Sequence, residues 1–145
     1  MQPTSDPLDL NGLIGEPEWG GELSATLETG PWSFFWGMEY IDGTSNVEEY
    51  QRVNGVDDIA INFLGEAVAV DLKAEEVIYH DLSVSRELPA GIDLTIGVAN
   101  VFDEQPPALT TLNLGQFNTV GTSPFVSNYD FLGRRAFVSL KKTFN

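Results

Sequence analysis

Cysteine is absent from this sequence, and basic residues are scarce. The 145 residues include seven lysines and arginines against 22 aspartates and glutamates, which gives a formal net charge of −15. Without cysteine, the chain forms no disulfide and no cysteine-ligated zinc site. The strongly acidic balance argues against nucleic acid as a partner, because phosphate binding needs a basic surface.

Two kinds of membrane-directed segment are also missing. No stretch approaches the roughly 20 apolar residues that a membrane-spanning helix needs. Residues 1–10, MQPTSDPLDL, have neither the positive region nor the apolar core of a secretory signal. We therefore expect either a cytoplasmic protein or a piece of a longer exported chain.

The sequence does contain repeated alternation of apolar and polar residues with a period of two, whereas helical periodicity is scarce. Residues 1–18, with several prolines and glycines, predict an irregular leading segment. The alternation predicts an all-β fold, an antiparallel meander of about five long strands. The strands are expected near residues 19–29, 31–42, 76–88, 91–102 and 133–144.

The connections between these strands are short and long in turn. Glycine and proline predict tight turns at residues 29–31 and 89–91, and long polar loops are expected near residues 43–74 and 103–131. Two short alternating stretches within residues 59–72 leave a small hairpin and an irregular loop equally open. Strands of about ten residues, with tight turns on one side and long loops on the other, are typical of outer-membrane barrels.

Two folds would cover the apolar strand faces. In a soluble β-sandwich they form a core about 10 Å thick between two sheets, and the chain would be an acidic ligand-binding module, for example for carbohydrate. In a membrane barrel the same faces contact lipid. The series Trp32, Phe34 and Trp36 is bulky for a sandwich interior. Trp19 and Trp32 also fall at strand ends, where barrels carry aromatic girdles.

Two basic residues count against the barrel. Arg86 and Lys142 fall on the proposed lipid face, and a Lys or Arg at the bilayer midplane costs about 2–4 kcal/mol, falling to roughly 0–1 near an interface. Both residues lie close to a short turn, where a long side chain can reach the aqueous surface. The barrel therefore remains compatible with the sequence.

The sequence predicts no enzyme, no cofactor and no metal site. His80, Asp81 and Ser83 suggest a catalytic triad, but their spacing along a strand places His80 on the face opposite to the other two. Adjacent acidic residues such as Glu48 and Glu49 lack the spacing of a calcium-binding loop. No glycine-rich phosphate loop, nucleophile elbow or zinc-protease motif occurs.

Five segments resemble, in order, the last strands of TonB-dependent outer-membrane receptors. LTIGVANVFDEQPP (residues 94–107) resembles their penultimate strand, in which a glycine-containing strand runs into an NVFD-like segment and a proline pair. YDFLGRRAFVSLKKTF (residues 129–144) resembles their final strand with its terminal aromatic residue. IGEPEW (residues 14–19), ETGPWSFFWGMEYI (residues 28–41) and YHDLSVS (residues 79–85) resemble the three strands before these.

This resemblance implies an open piece of a roughly 22-stranded transmembrane β-barrel in the cell outer membrane. It implies import of a scarce solute, such as a ferric siderophore, cobalamin or an oligosaccharide, with energy from the TonB–ExbB–ExbD complex through a plug domain. No plug or TonB box is visible, so we expect a C-terminal fragment or truncated reading frame that lacks the other barrel strands and is not functional alone. Phe144 resembles the terminal signal read by the barrel-assembly machinery, although Asn145 follows it.

The same resemblance assigns roles to individual residues. The residues expected to face lipid are Trp32, Phe34, Trp36, Leu94, Ile96, Val98, Val138 and Leu140. The long loops would face the outside, and the residues expected to contact a small solute are Phe117, Phe125 and Tyr129. The inward acidic residues would either line the lumen or pair with a plug, and the sequence favours neither; they are Glu22, Glu39, Asp81 and Asp93.

Overall fold

The computed structural model describes residues 11–55, 59–61, 64–109, 119–120, 123–124 and 128–143. Over these residues the chain forms one short helix and eleven strands. In chain order they are β1 (Gly20–Thr29), β2 (Trp32–Ile41), β3 (Thr44–Ser45), α1 (Val47–Asn54), β4 (Ile59–Ile61), β5 (Ala67–Ala69), β6 (Lys73–Ala74), β7 (Val77–Leu88), β8 (Ile92–Ala99), β9 (Thr119–Val120), β10 (Ser123–Pro124) and β11 (Arg135–Lys142).

The five long strands form one antiparallel sheet in the order β1, β2, β7, β8, β11. This confirms the all-β fold and the meander that the sequence predicts. The short connections are tight turns, in which Gly30 has a φ of 54° and Ala90 and Gly91 both have a φ of 66°. The Glu87 amide donates a hydrogen bond of 2.9 Å to the Pro31 carbonyl, which continues strand pairing to the turn end of the sheet.

Two long strands are shorter than the sequence predicts. β8 ends at Ala99 and not near residue 102, because Asn100 has a φ of 50° that interrupts the extended ladder. β11 begins at Arg135 and not near residue 133, because Gly133 has a φ of 66°. Phe102 keeps the apolar phase of β8, so the alternation of residue types alone does not show where that strand ends.

The register gives the sheet two chemically different faces. One row of the face that we call the apolar face crosses all five strands through Ala25, Trp36, Leu82, Val98 and Ala136. The next row, on the opposite face that we call the polar face, passes through Thr26, Phe35, Ser83, Gly97 and Phe137. All ten residues of β1 and all eight of β11 are exposed. In the described part of the chain, no second sheet covers either face.

The first long connection contains a small hairpin. β4 pairs with β5 through Ile59 opposite Ala69 and Ile61 opposite Ala67, so of the two possibilities that the sequence leaves open, the hairpin is present. β3 and β6 close the base of the same connection by pairing Thr44 with Ala74.

Helix α1 lies in the same connection and is not predicted by the sequence pattern. Its first turn carries Glu48 and Glu49 and its last turn carries Arg52, charges that favour the helix dipole. Gly55 follows in the left-handed conformation with a φ of 74° and ends the helix. A helix of eight residues is too short to show a clear 3.6-residue period. Among the described residues, no helix has the length and apolar character to cross a membrane.

Most buried apolar side chains of the described residues belong to two small clusters at the long-loop end of the sheet. The first contains Ile41, Val77, Tyr79 and Tyr129. The second contains Tyr50, Val70 and Leu72, with Val47 packed against it. The middle of the large sheet belongs to neither cluster, so its stability depends on strand pairing and on whatever covers its faces.

Candidate functional site

The apolar face carries all eight side chains that the sequence predicts to contact lipid. They are Trp32, Phe34, Trp36, Leu94, Ile96, Val98, Val138 and Leu140. Several are open to the surroundings: Phe34 is 44% exposed, Ile96 48% and Val138 70%. An exposed apolar surface that continues across five strands is characteristic of a face that contacts another apolar phase or another protein.

Charged side chains of the five long strands are sorted between the two faces. Every carboxylate of these strands lies on the polar face: Glu22, Glu28, Glu39, Asp81, Glu87 and Asp93. The apolar face carries two cations, Arg86 opposite Trp32 and Lys142 opposite Ile92. Both cations lie at the end of the sheet where the tight turns are, so the middle of the apolar face has no formal charge.

The turn end of the apolar face combines a cation with aromatic rings. The guanidinium carbon of Arg86 lies 4.7 Å from the centre of the Trp32 ring, within the range of a cation–π interaction. Trp32 in turn stacks against Phe34 at 6.3 Å between ring centres. An amphipathic ring next to a long cationic side chain suits the boundary between an apolar and an aqueous phase.

The long-loop end of the apolar face holds a second aromatic group. The Trp36 indole N–H donates a hydrogen bond of 3.2 Å to His80 Nδ1, and Phe102 meets the His80 ring edge-on at 5.3 Å. Asp81 lies on the opposite face, where its carboxylate accepts a hydrogen bond of 2.8 Å from the backbone N–H of Asn100. His80 and Asp81 therefore point apart, as the alternation of side chains along a strand predicts.

The polar face contains an acidic hollow of about 690 Å³. Its carboxylates include Glu22, Glu39 and Asp81, and Glu22 lies directly opposite Glu39 in the β1–β2 pair. Tyr79 and Arg135 also line the hollow. Two adjacent carboxylates in a partly enclosed space favour cationic or hydrogen-bond-donating groups over anions. Among the described residues, no group of carboxylates and histidines has the arrangement of a metal site.

One end of the hollow is covered by the segment before β11. The Asp130 amide donates to the Tyr79 hydroxyl at 3.0 Å, and Arg135 Nη1 donates to the Asp130 carboxylate at 2.6 Å. Burial raises the pKa of the Asp130 carboxyl, but the hydrogen bonds from Arg135 and from the Leu132 amide outweigh it and leave this pKa below its usual value of 3.8. The Asp130–Arg135 pair thus fixes this segment over the polar face.

The NVFD segment has a structural role that its sequence alone does not reveal. Asn100 is 1% exposed, and its side chain accepts from the Glu104 amide at 2.8 Å and donates to the Glu104 carbonyl at 2.9 Å. The Asp103 carboxylate accepts from the Arg134 amide at 2.8 Å. The segment therefore joins the end of β8 to the start of β11. In the sequence, the resemblance of NVFD to a known motif is the feature that draws attention to this segment.

The residues predicted to contact a solute lie in different settings. Phe117 and Phe125 lie outside the described residues, as does the proposed terminal signal Phe144. Tyr129 is 6% exposed, packs in the first buried cluster and also borders the acidic hollow. Burial raises the pKa of its hydroxyl. Tyr129 therefore has a packing role in this cluster, and its contact with a solute stays a prediction.

Comparisons with protein-family models, with curated proteins and with solved structures find no match to this chain.

Proposed function

We propose that the chain forms the C-terminal strands of the transmembrane β-barrel of a TonB-dependent outer-membrane receptor. The observation that carries this proposal is the apolar face itself, which continues across five strands, lacks carboxylates and bears its cations at one end. Lipid-facing strand surfaces of outer-membrane barrels have this character, since a charge near the bilayer centre costs about 2–4 kcal/mol.

The dimensions of the sheet support the same proposal. β1 and β2 each contain ten residues, and at about 3.3 Å per residue a strand of this length spans roughly 33 Å. A tilt of about 45° reduces this to about 23 Å, close to the apolar band of roughly 25 Å in outer-membrane barrels. The tight turns lie together at one end of the sheet and the long connections at the other, which is the usual barrel arrangement.

The free edges of the sheet fit a part of a larger barrel. β1 pairs with β2 alone and β11 with β8 alone among the described residues. In lipid, each unpaired backbone group costs several kcal/mol, so these edges need further strands of the same barrel. The proposal therefore includes partner strands and a plug domain supplied by a longer chain, and folding by the barrel-assembly machinery.

The proposed physiological role is import of a small, scarce solute. In this proposal the long loops face outward, and the acidic hollow with Glu22 and Glu39 faces the barrel lumen. Transport would draw energy from the TonB–ExbB–ExbD complex through the plug. By its resemblance to this family, the proposed solute is a ferric siderophore, cobalamin or an oligosaccharide.

The alternative of a soluble β-sandwich is not favoured by the arrangement. In a sandwich, Trp32, Phe34 and Trp36 would lie between two stacked sheets. In the described residues they lie on one large sheet, and Phe34 is 44% exposed. No observation on the described residues supports a carbohydrate-binding module in its place.

Nitroxide scanning along β11 tests the proposal. Because the chain has no cysteine, each single-cysteine variant from residue 135 to residue 142 gives one label, which is measured in detergent micelles. We expect high oxygen accessibility at even positions such as Val138 and high accessibility to a water-soluble nickel reagent at odd positions such as Ser139. Val138→Cys and Ser139→Cys form the matched pair. Equal water accessibility at both positions, or the opposite phase, would overturn the proposal.

A further inference from the structure

We propose that the free edge of β1 pairs with a β-strand that carries two lysines or arginines, six residues apart, on the polar face. This strand belongs to the rest of the barrel and not to a second copy of the chain. The inference rests on the proposed function and adds to it the charge pattern of the neighbouring strand. Three observations support it: the charges of the β1–β2 hairpin, the positions of all cations in the chain, and the direction of the two edge strands.

The polar face of the β1–β2 hairpin carries negative charge at both ends. Glu22 lies opposite Glu39 at the long-loop end, and Glu28 lies opposite Ser33 beside the tight turn. Neither β1 nor β2 contains a lysine or an arginine, and every residue of β1 is exposed. Because opposite charges on paired strands attract and like charges repel, the carboxylates of β1 favour a neighbouring strand with cations on this face.

The cations of the chain itself do not neutralise this hairpin. All lysines and arginines of the sequence lie within the described residues: Arg52, Lys73, Arg86, Arg134, Arg135, Lys141 and Lys142. Two of them lie in the first long connection and two on the apolar face. The other three lie in or next to β11, which is four strand spacings from β1, about 19 Å along the sheet.

Arg135 is the cation of β11 that borders the acidic hollow together with Glu22. Its guanidinium already donates to the Asp130 carboxylate at 2.6 Å. Among the described residues, neither Glu22 nor Glu28 forms an ion pair. A cation that pairs with these two carboxylates therefore has to come from outside the chain.

The direction of the edge strands disfavours a second copy as the partner. β1 and β11 are the first and fifth strands of an antiparallel sheet, so they run in the same direction. If two copies keep their polar faces on one side, an antiparallel contact joins β1 to β1 or β11 to β11. The first contact brings Glu22 against Glu28 of the other copy, and the second brings Arg135 against Lys141, so both meet like charges. A contact between β11 and β1 would match the charges but would be parallel, whereas bacterial outer-membrane barrels are antiparallel.

The spacing of the two carboxylates determines the spacing of the cations. Glu22 and Glu28 are six residues apart, an even number, and therefore share a face of β1. Residues directly opposite each other in an antiparallel pair lie on the same face and keep the same spacing on both strands. The neighbouring strand should therefore carry its two cations six residues apart.

Capture of synthetic strands by disulfide exchange tests the inference. The full chain with Ser24→Cys is placed in nonionic micelles in a glutathione buffer with two competing nine-residue peptides. Both peptides alternate leucine with polar residues and carry cysteine at the sixth position, which lies opposite residue 24 in the antiparallel register. One has lysine and the other glutamate at the second and eighth positions, opposite Glu28 and Glu22. We expect the protein to capture the lysine peptide about tenfold more than the glutamate peptide.

Two charge variants separate pairing at β1 from general attraction to an acidic protein. Glu22→Gln/Glu28→Gln should bring the capture ratio close to one. Glu87→Gln/Asp93→Asn is the matched control, since it removes two carboxylates from the same face in the β7–β8 pair, and it should keep the preference for the lysine peptide. The inference is wrong if the two peptides are captured equally, if both double variants lower the ratio alike, or if Glu22→Gln/Glu28→Gln keeps it. Covalent dimers of the protein in place of peptide adducts would assign the edge to a second copy and also overturn it.

The labels on β11 separate failure of this inference from failure of the proposed function. Nitroxides at Val138→Cys and Ser139→Cys report which face contacts the apolar phase, and they do not depend on the edge of β1. If these labels show the expected contrast while the two peptides are captured equally, the charge pattern of the partner strand is wrong and the barrel proposal stands. If the labels show no contrast, the proposed function fails, and this inference fails with it.

Discussion

The ring of Phe137 lies across Gly97 on the neighbouring strand of the polar face. A Cβ atom at Gly97 would come within 2.6 Å of Phe137 Cε1 and 2.8 Å of Ser83 Cβ, closer than side chains approach one another in folded proteins. Gly97 thus makes room for the ring. An aromatic ring over a glycine of the adjacent strand also shields backbone that the glycine leaves open.

Enlarging this glycine should destabilise the sheet. We expect Gly97→Ala to lower the free energy of unfolding by about 1–3 kcal/mol, because the added methyl group overpacks the contact with Phe137. Phe137→Leu in the same chain should recover part of the loss. Guanidinium unfolding in detergent micelles, followed by circular dichroism, measures both changes.

Gly21 supplies the control for that experiment. A Cβ at Gly21 in β1 would meet nothing within 4 Å, so Gly21→Ala should be neutral or stabilising by about 0.5–1 kcal/mol. Similar losses at the two glycines would show that the effect comes from backbone flexibility and not from the Phe137 ring.

The contact between Gly97 and Phe137 shows what the alternation of residue types along a sequence can predict. Phe137 breaks the alternation of β11, because it is a large apolar residue on the polar face. The sequence marks it as an exception but does not explain it, since the explanation lies in Gly97, a residue 40 positions earlier that the register places opposite. Period-two alternation predicts strands well, because it depends on neighbours within the strand, but it does not show what faces each residue.

The other differences between expectation and structure have similar causes. Helix α1 is too short for a clear period, although Glu48, Arg52 and Gly55 are local signals that match a helix of this length. The end of β8 depends on the left-handed backbone of Asn100, which a residue pattern does not reveal. The hydrogen bond between the Asp130 amide and the Tyr79 hydroxyl joins residues 51 positions apart, so sequence spacing alone could not predict that closure of the acidic hollow.

Asn100 should be sensitive to loss of its amide. Asn100→Ala leaves the Glu104 backbone amide and carbonyl without their side-chain partners and places alanine at a φ of 50°. We expect a loss of about 1–3 kcal/mol in unfolding free energy, since each of the two lost hydrogen bonds contributes about 0.5–1.5 kcal/mol. Asn100→Gly relieves the backbone strain but not the lost hydrogen bonds, so it should recover only part of the loss. Full recovery would assign the whole effect to backbone conformation.

The Asp130–Arg135 pair should make stability depend on pH in the acid range. The pKa of Asp130 in the folded chain lies below its ordinary value of 3.8. Its contribution is therefore fully present above that ordinary pKa and is lost as the pH falls through the folded-state pKa. The pair is partly exposed, so the contribution is about 0.2–1 kcal/mol.

Unfolding measured between about pH 6 and pH 2 in wild type and Asp130→Asn checks this sign. The difference in stability between the two proteins should shrink on acidification, because protonated Asp130 and asparagine are both neutral. Glu28→Gln removes a carboxylate from β1 without touching this pair. When Asp130→Asn is introduced into the Glu28→Gln protein, the difference in stability that it causes should depend on pH in the same way. A difference that grows on acidification would contradict the lowered pKa.

The free edges of the sheet give the last prediction. β1 and β11 each pair on one side only among the described residues, so about half of their backbone amides point away from any partner strand. In the isolated chain in micelles, the outward amides of β1 should exchange with deuterium much faster than those of β2 and β7. Addition of the upstream barrel strands should protect them, because closure supplies the missing acceptors and removes the edge. Slow exchange along both edges of the isolated monomer would mean that the sheet is complete by itself. Heat-modifiable, urea-resistant insertion of the isolated chain would lead to the same conclusion, and in either case the chain would not be one part of a larger closed barrel.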